Sequence, residues 1–78
     1  MGCINSDGSL SASARAILDA ARTPATPEQL ARTTGLSLYR VRGGLRELVH
    51  AGLIQDSFGM YQVTGAGETR LARPNRPA

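Results

Sequence analysis

Apolar residues recur at helical spacing early in the chain. Ala14, Ile17, Leu18 and Ala21 fall on one stripe, which predicts an amphipathic helix. Ser11 is its N-cap, and it runs to about Arg22. Thr23-Pro24-Ala25 then stops it, because Pro24 pushes the preceding residue out of helical geometry. A second helix opens on an explicit signal. Thr26 is the N-cap, Pro27 stands at the first helical position, and Gln29 follows three residues after the cap. That is a capping box, with Pro where its missing N–H costs nothing. Leu30 and Ala31 face the core, and Gly35 ends this short helix in a position that wants a left-handed residue.

Ser37 caps a third helix that ends near Ala51, with Gly52 just beyond it. Val41, Leu45, Leu48 and Val49 make a single apolar face. At about 100° per residue, the opposite face carries Tyr39, Gly43, Arg46 and His50, with Arg40 and Arg42 flanking it. Gly43-Gly44 in mid-helix costs about 1–2 kcal/mol relative to alanines. Gly44 leans to the core side and suits packing against the second helix. Gly43 points outward and suits close approach of a partner.

Beyond Gly52 the period changes to that of strands. Leu53-Ile54-Gln55 and Met60-Tyr61-Gln62-Val63 flank Asp56-Ser57-Phe58-Gly59, which reads as a β-hairpin with a four-residue turn. Thr64 caps a last short helix through Leu71, weakened by Gly65 and Gly67. The fold class is therefore mostly α with a small β-hairpin: a three-helix core, 10–72, between flexible tails at 1–9 and 73–78. The Gly35-Leu36-Ser37 turn between two helices is a helix-turn-helix signal, and the hairpin after the third helix makes it a winged helix.

Composition narrows the chemistry. The chain has 78 residues, so one small domain fits and a large walled active site does not. Hydrophobic content of 41% supports a core, and aromatic content of 4% argues against a stacking platform for single strands. One cysteine, Cys3, and one histidine, His50, leave no internal disulfide, no thiolate cluster and no His–His pair. The carboxylates are scattered, and no nucleophile–base pair suggests itself, so the chain is expected not to be an enzyme and to need no metal or cofactor. No apolar run is long enough to span a membrane and no signal peptide is visible. A cytoplasmic protein is the expectation.

The net charge is +3, and all nine basic residues are Arg. Arg40, Arg42 and Arg46 stand against Glu47 alone on the third helix. Arg70, Arg73 and Arg76 stand against Glu68 at the C-terminal end. The turn of the hairpin has no base, and its Asp56 would repel phosphate.

The residues Leu30-Ala31, Gly35-Leu36-Ser37, Val41, Leu45, Leu48 and Gly52-Leu53-Ile54 resemble winged helix-turn-helix transcriptional regulators of bacterial type, such as the MarR-like and IclR-like families. Val63-Thr64 with Gly67 and Leu71 is similar to the segment that follows their wing. The resemblance implies a bacterial, nucleoid-associated, sequence-specific binder of double-stranded DNA. Its recognition helix, 37–51, would lie in the major groove. The expected DNA-binding residues are Ser37, Tyr39, Arg40, Arg42, Gly43 and Arg46. Arg suits guanine O6 and N7, and the hydroxyls of Ser37 and Tyr39 suit phosphate.

Other readings stand beside this one. Arg42 or Arg46 can be a solvated residue beside Glu47, Tyr39 can pack across the second helix, and His50 suits a helix C-terminus. The C-terminal arginines can be a solubilising tail. Phe58 has two placements, folded onto the core or, with Met60, facing a protein partner. The latter would make the domain a protein-interaction module. Met1-Gly2-Cys3-Ile4-Asn5-Ser6 also fits an acylation pattern, the mark of a lipid-anchored adaptor. The long helices that dimerise MarR-like proteins are missing, which leaves a weak homodimer or a protein partner to supply a second half-site.

Overall fold

Side-chain caps fix where each of the first three helices begins. Ser11 Oγ accepts the Ala14 N–H at 3.1 Å and starts α1 (Ala12–Ala20). Thr26 Oγ1 accepts the Gln29 N–H at 3.2 Å, and Gln29 Oε1 accepts the Thr26 N–H at 2.9 Å. This reciprocal pair opens α2 (Pro27–Thr34). Ser37 Oγ accepts the Arg40 N–H at 3.2 Å and opens α3 (Leu38–His50). Each such cap is worth about 1 kcal/mol. The hairpin strands are β1 (Ile54–Ser57) and β2 (Met60–Val63), followed by α4 (Gly65–Ala72). The computed structural model describes residues 10–72, so the tails at 1–9 and 73–78 lie outside the described residues, with the acylation pattern, Cys3, Arg73 and Arg76 among them. The architecture is mostly helical with one two-stranded antiparallel hairpin.

The core is a single apolar cluster. Ile17 and Leu18 from α1, Leu30 from α2, Val41, Leu45 and Leu48 from α3, and Leu53 and Ile54 at the hairpin base are all buried. Gly44 is buried as well, and Gly43 is exposed, as the helical spacing predicts. The link between α2 and α3 is tied by Thr34. Its hydroxyl donates to Leu30 O at 2.7 Å and accepts the Leu36 N–H at 3.2 Å, while Gly35 takes φ 77°.

Three expectations need correction. First, α1 stops at Ala20 rather than near Arg22. Ala21 closes the helix and its carbonyl accepts the Val63 N–H at 2.9 Å. The chain then runs alongside β2: Ala25 and Tyr61 exchange both backbone hydrogen bonds, at 3.1 and 2.7 Å. The stretch read only as a helix stop therefore adds a bridge to the hairpin. Second, the turn is shorter than four residues. Ser57 pairs with Met60, leaving only Phe58 and Gly59 at the tip. Both have positive φ, 54° and 80°, the signature of a type I′ turn. Third, Val49 is 37% exposed instead of joining the core.

The last helix is fastened at several points. Thr64 Oγ1 accepts the Gly67 N–H at 3.1 Å and donates to Gly52 O at 2.7 Å. Arg15 reaches across to Leu71 O at 2.9 Å, and Arg22 pairs with Glu68 at 3.2 Å.

Candidate nucleic-acid interface

Burial of Val41, Leu45 and Leu48 turns the other side of α3 outward. Tyr39, Gly43, Arg46 and His50 are all exposed, and they follow one another at helical spacing. Tyr39 is 88% exposed, which rules out packing across α2. A Cβ placed on Gly43 would meet nothing within 4 Å, so the described residues give no packing reason for the missing side chain.

The arginines of this face differ in their commitments. Arg40 donates to Ser13 Oγ on α1 at 3.3 Å. Arg42 lies 3.7 Å from Glu28 on α2, with both side chains more than half exposed. Contacts of this kind in high dielectric are worth little, so either guanidinium can leave at small cost. Arg46 has no polar partner among the described residues. Ser37 is used as the cap of α3, which occupies a lone pair of its oxygen and leaves its O–H to donate.

Beside this stripe a groove of about 490 Å³ runs between α3 and the hairpin. It is lined by Pro27, Arg42, Leu45, Arg46, Val49, Asp56 and Tyr61. Two guanidinium groups thus share one groove with one carboxylate. The bridge to Ala25 holds Tyr61, and so β2, beside the start of α2. The distant pairing that the sequence left unread therefore forms one wall of the groove.

At the far end of the hairpin, Phe58 is fully exposed, with a relative accessibility of 103%. Its placement on the core is thereby overturned. Asp56 Oδ1 accepts the Gly59 N–H at 3.1 Å and clamps the turn. The expected DNA-binding residues did not include Phe58, which the sequence placed either on the core or, with Met60, against a protein partner. The readable signal was Gly59, which supplies one of the two left-handed positions of a tight hairpin.

Among the described residues no group of three His, Cys, Asp or Glu could hold a metal ion, and no helix is long and apolar enough to cross a membrane. Set against protein-family models and curated proteins, the chain matches none.

Proposed function

We propose that the domain is a winged helix-turn-helix, with β1 and β2 as its wing, and that it binds double-stranded DNA to regulate transcription. The observation that carries this reading is Arg46, exposed and unengaged among the described residues at the centre of the α3 stripe. An α-helix about 10–12 Å across fits a major groove about 12 Å wide. The 13 residues of α3 span about 20 Å, enough to lie along several base pairs. Arg46 is suited to bidentate contact with guanine O6 and N7. The hydroxyls of Ser37 and Tyr39 donate to phosphate, and Arg40 and Arg42 exchange weak internal contacts for phosphate oxygens. Gly43 lets the groove floor approach the helix backbone between Tyr39 and Arg46. A single domain makes few base contacts, so useful specificity calls for a second half-site, filled by another copy or a protein partner.

The test is a titration of duplex DNA at two salt concentrations, followed by NMR. Shifts centred on α3, and affinity that falls steeply with salt, are the expected result. Shifts confined to α1 and the hairpin, or binding indifferent to salt, would count against it and favour a protein-interaction module.

A further inference from the structure

Among the described residues four have positive φ, and three of them are Gly35, Gly52 and Gly59. The fourth is Phe58, at φ 54°. A bulky residue is rarely held there, because its Cβ crowds the following carbonyl. Asn, Asp or Gly would make the same turn without that strain. The strain is not offset by burial, since the ring is fully exposed. An unstrained alternative is available, yet the fold displays an aromatic ring at the thinnest point of the hairpin. Strain of this kind motivates a hypothesis of function.

Resting on the DNA reading above, we infer that Phe58 is a wedge that enters the minor groove and partly unstacks a base-pair step. Two observations favour duplex DNA over a protein surface as the occupant. Phe58 is the only exposed large apolar side chain on the hairpin; the others among the described residues are Tyr39 and Val49 on α3. A stable protein interface buries about 800 Å² on each partner around a packed apolar centre. A lone ring flanked by exposed Ser57 and Gly59 does not supply one. It does match a slot about 6 Å wide, which is what the minor groove offers to an apolar wedge. The second observation is position. Asp56, two residues before Phe58, lines the same groove as Arg42 and Arg46, so the tip rises beside the arginine flank. Asp56 keeps its negative charge while Oδ1 clamps Gly59, so the wedge draws its energy from stacking, against that charge, rather than from attraction to phosphate.

The experiment uses the full chain and a mixed-sequence duplex with the fluorescent adenine analogue aminopurine placed at TA steps, which unstack most easily. Binding is followed separately by anisotropy. Wild type is expected to raise aminopurine fluorescence severalfold on binding. Phe58→Asn, which suits the turn and keeps the fold, should abolish that rise and weaken binding about tenfold. Duplex binding that depends on Arg46 and on salt, with silent aminopurine and an unaffected Phe58→Asn, would overturn the wedge and leave the DNA reading intact. Absence of duplex binding by wild type would overturn both, and Phe58-dependent capture of a protein in its place would assign the ring to a protein partner.

Discussion

Gly67 on α4 and Gly43 on α3 are both glycines inside helices, and the molecule treats them in opposite ways. A Cβ on Gly67 would overlap the Leu53 carbonyl oxygen and Val63 Cγ2. A Cβ on Gly43 would stand in open space. The first glycine is required by the scaffold, because α4 crosses the base of the hairpin with no room for a methyl group. The second weakens an exposed helix, and nothing among the described residues packs against it to repay that. The seam between α4 and the hairpin is thus explained by packing alone. The outer flank of α3 has no such explanation among the described residues, and the duplex DNA proposed above would give it one.

The largest test bears on the seam. Gly67→Ala forces α4 off a backbone carbonyl, and overpacking of this kind costs about 1–3 kcal/mol. A loss at the upper end is expected in urea denaturation, since the nearer obstacle includes main chain that cannot rotate away. A midpoint equal to that of wild type would show that α4 shifts freely, and the contrast with Gly43 would collapse.

Next in size is Arg46→Ala. The side chain is exposed and has no polar partner among the described residues, so folding stability should stay within about 0.5 kcal/mol of wild type. Duplex binding should weaken by about 1–3 kcal/mol if the guanidinium reads a base. If it meets phosphate only, affinity falls evenly across sequences and the salt slope drops by about 1. Anisotropy at two salt concentrations separates the two cases. Unchanged affinity at both would remove the α3 flank from the interface.

Gly43→Ala then sharpens the comparison, because its sign should be opposite to that of Gly67→Ala. Alanine in an exposed helix interior is about 1 kcal/mol better than glycine. In a domain of this size that raises Tm by about 4–8 °C. The same methyl group should weaken duplex binding, as it stands where the groove floor would approach. A variant both more stable and fully competent to bind would mean that Gly43 serves no contact.

What could be read in the sequence was what is local. Thr26, Pro27 and Gln29 specify the start of α2 within four residues of chain, and the structure has that cap in full. The apolar face of α3 follows from its period, apart from Val49, which looks into the groove rather than the core. What escaped was set by partners far along the chain. Ala25 reads as a helix stop because its pairing partner, Tyr61, lies on another element. Phe58 breaks the rule that assigns left-handed turn positions to Gly, Asn or Asp, so the hairpin looked longer at its tip than it is. The site residues on α3 were legible as an exposed face. Their internal commitments, Arg40 to Ser13 and Arg42 to Glu28, were not, since each depends on how α1 and α2 lie beside α3.

The smallest effect concerns one of those commitments. Glu28 and Arg42 are 3.7 Å apart with side chains 58% and 60% exposed. An exposed pair of this kind contributes about 0.2–1 kcal/mol at most, and many contribute nothing measurable. Glu28→Gln should therefore leave the denaturation midpoint almost unmoved. Its effect on binding has a definite sign. If the proposed duplex is the partner, removing the carboxylate frees Arg42 to turn fully toward phosphate and takes away a negative charge 3.7 Å from it. Affinity for duplex should rise slightly, by about twofold, and the gain should shrink as salt screens it. A loss of affinity instead would mean that Glu28 positions Arg42 for contact rather than competing for it. Arg42 would then belong with the side chains the scaffold holds in place, on the same footing as Gly67, and not with the uncommitted flank around Gly43 and Arg46.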